Sequence, residues 1–354
     1  MASKSEPIYA KIIILATVII FAGCNSKSAS SVPTDRRDYP VLVGEEIDVR
    51  EIPLNPQVVF GLRNGYLIYD FDREIFYSYY QDYQANPERL VHYGSGPDEF
   101  TSIDLVRIDE ANNFLTLFER DKKYLKDFSL ADKKVHKTIK LEDRGSMTIA
   151  PLQNGYFSNG TFDEGIFMIM DKEGQPLKYF GKYPYGDGDG LNPNQKFMIY
   201  QNVIASHPSE DKIVAGGSLF DWLAIYDLTS GEPVVVKETY GDEPKVQLKG
   251  KGVSSFGIRQ LPETFLGYKE IKTTDNHIYL ICEGKTLQEA KEKQEQGTRD
   301  TYLEIYDWDG NLVKGFTLPE NVYSIAVNKE GNEIIGLVFS DGDYKIKRYE
   351  ITDL

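Results

Sequence analysis

A six-bladed, all-β propeller is the fold this 354-residue chain predicts, and three observations carry it. Short β-prone runs meet at tight polar turns six times: Asn64-Gly65, Asn112-Asn113, Asn154-Gly155, Asp211-Lys212, Asp275-Asn276 and Gly331-Asn332. Their spacing of roughly 40–65 residues is that of repeated four-stranded units. One strand later a second signature recurs, at Phe167–Asp171, Leu223–Asp227 and Leu303–Asp307, each running into a Gly-containing turn. The last unit, Tyr323–Ile351, holds three strands before the chain ends, while Val43–Ile52 near the domain start has strand character. A fourth strand supplied from there would close a ring and leave no open edge. Small sheets that cannot bury both faces alone are accommodated around an axis. A β-sandwich or an irregular β domain is the competing architecture; the sixfold hairpin count and the length favour the propeller.

In chain order, residues 1–23 read as a signal peptide. Lys4 and Lys11 form a basic start, Ile12–Phe21 a short apolar core, and Ala22-Gly23-Cys24 the end. The apolar core is too short to span a bilayer. Small residues before a cysteine suggest lipid attachment at Cys24, with Phe21 where Leu is usual; an ordinary signal peptide followed by an unmodified cysteine is the alternative. Residues 24–38 are polar and Ser-rich, a tether, and residues 39–354 form the propeller. No acidic run follows Cys24. The expected location is therefore the cell envelope, lipid-anchored to a membrane, with the outer membrane's periplasmic face or surface as the expected side.

The formal charge is −15; loss of Lys4, Lys11 and Glu6 with the signal peptide removes one net positive charge and leaves about −16. Such a surface repels nucleic acid and anionic polymers. It suits a neutral glycan, a peptide, a cation or a basic protein partner. Cys24 and Cys282 are the two cysteines, so lipidation of Cys24 leaves no disulfide. Cys282, within the apolar run His277–Glu283, is expected to be a buried core thiol.

The stretch Tyr93-Gly94-Ser95-Gly96-Pro97-Asp98-Glu99-Phe100 resembles the G-x-G-P-x-E-F element of TolB-like six-bladed propeller lipoproteins of Bacteroidota. The resemblance implies the propeller fold and export over nearly the whole mature chain, and little about chemistry. Asp98 stands where Gly is usual, so no shared ligand follows.

Strand connectivity sorts the loops. With strands A to D in each blade, the tight turns above join A to B on one face. The longer connections fall on the other: Gly94–Phe100, Lys182–Gln195 and Tyr240–Gly257 between blades, and Asp70–Arg73, Thr161–Gly165, Ser218–Trp222 and Lys285–Asp300 between strands B and C. Long loops on one rim of a rigid scaffold are where binding usually resides. Candidate binding-face residues are Arg73, Asp98, Glu99, Asp163, Asp189, Trp222 and Arg259. Phe220-Asp221-Trp222 suggests an aromatic platform beside a carboxylate, suited to a sugar ring; the alternative is that Trp222 packs between blades. Lys285–Gln296 has the composition of a solvated helical insertion in blade five, and a lid or partner-binding role is its alternative. Asp187-Gly188-Asp189-Gly190 resembles the start of a calcium loop, but Leu191 fills a ligand position and Met198 the place of the closing Glu, so a Gly-rich turn is expected.

No nucleophile elbow, zincin motif, P-loop or dinucleotide-binding glycine run occurs, and His92, His136, His207 and His277 lie in different units without ligand spacing. No metal and no cofactor is expected. The expected function is a lipid-anchored binding module that engages a glycan, peptide or protein through the loop-rich face. Two alternatives stay open: a glycan hydrolase or lyase using carboxylates around the central funnel, and a structural component of an envelope complex.

Overall fold

The computed structural model describes residues 35–49, 55–62, 65–72, 75–80, 88–186, 190–249, 257–340, 342–352 and 354. The chain forms an all-β propeller with two α-helices. Among the described residues there are six four-stranded antiparallel sheets. Blade one is Pro56–Leu62, Gly65–Asp72, Ile75–Tyr80 and Glu88–His92; blade two is Asp104–Asp109, Phe114–Glu119, Tyr124–Ser129 and Val135–Lys140. Blade three is Ser146–Leu152, Gly155–Gly160, Phe167–Met170 and Pro176–Phe180; blade four is Asn202–Ser206, Lys212–Gly217, Trp222–Asp227 and Val234–Tyr240. Blade five is Phe265–Thr273, His277–Thr286, Thr301–Asp307 and Leu312–Leu318. Asn321–Val327, Glu333–Ser340 and Asp343–Glu350 form the sixth sheet, with Glu45–Glu46 paired to its last strand in the register Glu45↔Arg348 and Glu46↔Lys347.

Among the described residues, the polar turns read from the sequence join the first two strands of a sheet. Their backbone explains the residue choice. Asn113 has φ 58° and Gly331 φ +81°, a left-handed conformation that Asn and Gly tolerate best.

The sheets are held by what lies between them. Leu67, Phe100, Leu117 and Phe128 join blades one and two, and Phe118, Ile149, Met168 and Met170 join two and three. Phe157, Phe167, Trp222 and Tyr226 join three and four; Val214, Ile225, Ile278 and Cys282 join four and five. Ile281, Leu303, Val322 and Val338 join five and six, and Val59, Ile68, Leu337 and Ile346 carry the packing from six back to one. A fully buried aliphatic or aromatic side chain contributes about 1.5–3 kcal/mol, so each interface is a small core. Cys282 is fully buried in one of them, and burial raises its thiol pKa, as an inert core cysteine requires.

The N-terminal strand is shorter than the Val43–Ile52 run suggests, because the segment divides its hydrogen bonds between two blades. Thr317 N–H donates to Pro40 O and Leu42 N–H to Thr317 O on blade five, both at 2.9 Å; Ile47 N–H then donates to Ile346 O on blade six at 2.9 Å. Gly44 makes the crossing possible: a Cβ there would lie 2.6 Å from the Tyr349 ring.

The Gly94–Phe100 loop has a structural account. Glu99 folds back so that its Oε2 accepts from Gly96 N–H at 2.8 Å, and a Cβ on Gly94 would collide with that carboxylate. Gly94 N–H donates to Phe100 O at 2.9 Å, which sets the fully buried Phe100 against Phe128. Asp98 Oδ1 accepts from Val135 N–H at 2.8 Å and ties the loop to the outer strand of blade two. The motif builds a turn between blades.

Blade two also buries a carboxylate. Glu119 is fully buried, with Lys122 Nζ at 2.7 Å, Lys126 Nζ at 2.8 Å, and Thr101 N–H donating at 3.3 Å. Burial pushes its pKa up, but the hydrogen bonds from Lys122 and Lys126 outweigh burial and hold it below 4.5. A depressed carboxylate contributes stability above its unfolded pKa, about 4.3, and loses it as pH falls through the folded value. Thermal unfolding between pH 6 and 3 should therefore show a melting temperature that declines below about pH 4.5. Glu119→Gln should start lower and decline less steeply; an unchanged slope would remove Glu119 from the acid response.

Candidate binding site

The non-repeating elements gather on the loop-rich face. Between blades three and four lies a helix, Pro193–Ile199, where a loop is expected from Lys182–Gln195. Its start was legible: Asn192 and Gln195 form a reciprocal capping box with Pro193 in the first turn. The Tyr240–Gly257 connection also holds more order than a loop, since Val246–Lys249 pairs with Gly257–Gln260. The insertion in blade five is a helix, Leu287–Glu295, capped by Thr286 and Glu289, and it buries no residue. Lys293 Nζ lies 2.6 Å from Asp300 Oδ2, and Lys285 Nζ 2.6 Å from Asp300 O, which closes the insertion onto its blade.

The N-terminal segment enters on the same face. Arg36 Nε donates to Glu304 Oε1 at 2.8 Å, and its guanidinium reaches Asp221 at 3.2 Å. Glu304 is 2% exposed and also accepts from Tyr39 (2.9 Å), Tyr268 (3.1 Å) and Tyr306 (3.3 Å) hydroxyls. Burial and the neighbouring Glu304 carboxylate raise the pKa values of all three phenols. These hydroxyls remain neutral donors.

Among the described residues the sequence-derived candidates do not converge. Cys24, Arg73 and Asp189 lie outside the described residues. Asp98 and Glu99 are engaged in the turn above. Asp163 is exposed between the middle strands of blade three, and Arg259 is exposed on the Gly257–Gln260 strand. Trp222 corrects the platform expectation: it is 1% exposed, stacked on Phe167 (6.3 Å, 15°) and Phe220 (5.8 Å, 19°). The indole is core packing because strand Trp222–Asp227 turns that face toward blade three. Its Nε1–H donates to Glu238 Oε1 at 3.1 Å, and Asp221 turns to Arg36.

The histidines serve the frame. His136 pairs with Asp132 at 2.9 Å. His207 Nδ1 accepts from the N–H groups of Ser209 and Glu210, both at 3.1 Å, so its Nε2–H donates to Asp275 O at 3.0 Å. Among the described residues no cluster of three or more His, Cys, Asp or Glu side chains could hold a metal.

Two concavities stand out. The first strands of all six sheets line an axial cavity of about 630 Å³ that includes Gln153 and Pro208, placing it toward the tight-turn face. Its charged lining is Arg107 and Lys272, with no carboxylate among the lining residues. Arg107 donates to Leu152 O at 3.2 Å, and Lys272 Nζ sits 4.1 Å from the centre of the Phe60 ring.

The second is a groove of about 620 Å³ between the outer strands of blades three and four, running to the loop-rich rim. Phe180, Tyr183, Tyr185, Tyr226 and Tyr240 supply its rings. Tyr185 is held edge-on to Phe220 (6.3 Å) and Tyr240 (6.0 Å), and its hydroxyl donates to Gly241 O at 2.8 Å. It has φ +66°, a left-handed conformation uncommon for a bulky residue. None of these tyrosines is among the candidates named from the sequence. The available signal was Tyr183-Pro184-Tyr185-Gly186: aromatics in a Pro/Gly turn have no strand to pack.

A family model described as TolB-like 6-blade propeller-like matches residues 63–330, more than half of the chain. A protein of Bacteroides fragilis described as exported has a similar solved structure, with a TM-score of 0.56 at 13% identity over 88% of this chain and 96% of that one. A member of the duf4221 family from Bacteroides vulgatus is similar at a TM-score of 0.53 and 10% identity, over 89% and 97%. Both likenesses concern the fold. A stretch of 77 residues is 32% identical to translation initiation factor IF-2 of Clostridium tetani; it is 22% of this chain and spans only 11% of that protein. A match that short carries nothing about fold or role.

Proposed function

The chain belongs to the TolB-like six-blade propeller-like family, and on that premise we propose that it is an exported binding module, anchored by lipid on Cys24 in the cell envelope, that engages a glycan, peptide or protein through its loop-rich face. Its six blades are clasped by the Glu45–Glu46 strand, which leaves the loops of that face free to diverge. The location is the outer membrane, on its periplasmic face or surface. One observation favours binding over hydrolysis at the axis: among the described residues, the cavity where all six inner strands meet has Arg107 and Lys272 as its charged groups and no lining carboxylate. Glycoside hydrolysis ordinarily uses a pair of carboxyl groups about 5–10 Å apart. The acidic surface disfavours nucleic acid as a partner.

A thermal-shift screen of the full chain in a non-glycosidic detergent, against neutral oligosaccharides, short peptides and divalent cations, tests this. Binding to the native state at 100 times Kd adds about 2.7 kcal/mol, a readable shift. The expected result is a shift with one ligand class and recovery of that ligand intact. Turnover of the bound compound would overturn the reading in favour of an enzyme.

A further inference from the structure

Resting on that reading, we propose that the groove between blades three and four binds the pyranose rings of a neutral glycan. Its volume, about 620 Å³, falls within the roughly 300–1,000 Å³ of ordinary ligand sites. Two of its rings reach solvent, Tyr240 at 55% and Tyr185 at 38% exposure. Tyr226 and Phe180, also in the groove, meet each other edge to face at 5.4 Å. Flat aromatic faces attract the C–H faces of sugar rings by dispersion and burial.

Charge and hydrogen-bond supply select the ligand. Among the described residues the groove's charged groups are Lys178, Lys182, Glu232 and Glu238; they cancel in number, and Lys178 is paired with Glu232. An aromatic cage for a cation needs excess negative charge, and an anion site the reverse. A proline-rich peptide would need donors for its carbonyls. Three nearby donors are already committed: Tyr185 hydroxyl to Gly241 O, Trp222 Nε1–H to Glu238, and Tyr240 hydroxyl to Glu238. The Glu238 carboxylate has lone pairs beyond these bonds and accepts from hydroxyl groups. Tyr183, in the groove wall, has a buried hydroxyl with no hydrogen-bond partner among the described residues. Stacking faces, a held carboxylate and balanced charge match a hydroxyl-rich, uncharged ring.

The test is calorimetric titration of the full chain with cellotetraose, maltotetraose, xylotetraose and mannotetraose. Tyr240→Ala and Glu238→Gln are titrated alongside. Tyr240 is exposed, so its variant should keep the parent melting temperature. The expected result is binding of at least one oligosaccharide, weakened tenfold or more by Tyr240→Ala and by a smaller factor by Glu238→Gln. Sugar binding unchanged in both variants would overturn the groove and leave the binding reading standing. Absence of binding by all four sugars, with a shift from a peptide or protein, would overturn the ligand class alone. Hydrolysis of a sugar whose binding needs Tyr240 would keep the site and overturn the non-enzymatic reading.

Discussion

Arg36→Ala should lower the stability of the propeller by about 2–4 kcal/mol, since removing one partner of a buried ion pair costs about 3–5 kcal/mol and the residual exposure of Arg36 screens part of it. The loss follows from what stays behind. Glu304, 2% exposed beneath Arg36, would keep three tyrosine hydroxyls and lose its cation. The Arg36 side chain also lies over the Phe265 ring, 5.6 Å from its centre, so packing goes with the charge. The consequence reaches further than the pair, because Arg36 opens the segment whose backbone joins Thr317 on blade five and Ile346 on blade six. Chemical denaturation measures the loss, and limited proteolysis should cut near Arg37 faster than in the parent. Adding Glu304→Gln should recover part of the stability, since the buried negative charge is then gone while an acceptor for the tyrosines remains. A single variant within about 0.5 kcal/mol of the parent, the range of ordinary surface substitutions, would show that the cluster does not hold the segment.

That cluster also marks how far the sequence could be read. Turns were legible because local backbone demands decide them: Asn113 and Gly331 sit where left-handed φ is required. Strand order followed, and with it the assignment of every long connection to one face. Arg36 was not legible. It sits in a polar segment that reads as tether, and its partners Asp221 and Glu304 are 185 and 268 residues away, brought together by the ring. The groove was hidden for a related reason. Tyr185 and Tyr240 lie on different blades, and only the packing of blade three on blade four makes their rings neighbours at 6.0 Å. Trp222 was readable in two senses, as a platform or as packing between blades, and the structure shows the packing. A Trp beside an Asp at a loop edge looks like a platform, but alternation along the strand turns the indole inward and leaves Asp221 for Arg36.

Trp222→Ala should therefore be the most damaging single change to this half of the molecule, at about 3–5 kcal/mol for deleting a buried indole. Phe167 and Phe220 both stack with it, and Tyr226 and Phe180 continue the same cluster into the groove, so the void would open beside the groove. Trp222→Phe separates packing from hydrogen bonding. It retains most of the ring and removes the Nε1–H that holds Glu238 at 3.1 Å. Its expected stability loss is smaller, about 0.5–1.5 kcal/mol for one lost hydrogen bond plus a little volume, because Glu238 is half-buried and water can replace the indole N–H. Denaturant unfolding of the two variants checks the order. The pair also decides how ligand data are read. If Trp222→Ala abolishes sugar binding while Trp222→Phe weakens it no more than Glu238→Gln, the indole acts on the groove only by supporting it and aiming one carboxylate. Should Trp222→Ala prove as stable as the parent, the indole is not core, and the packing between blades three and four must be carried by the phenylalanines alone.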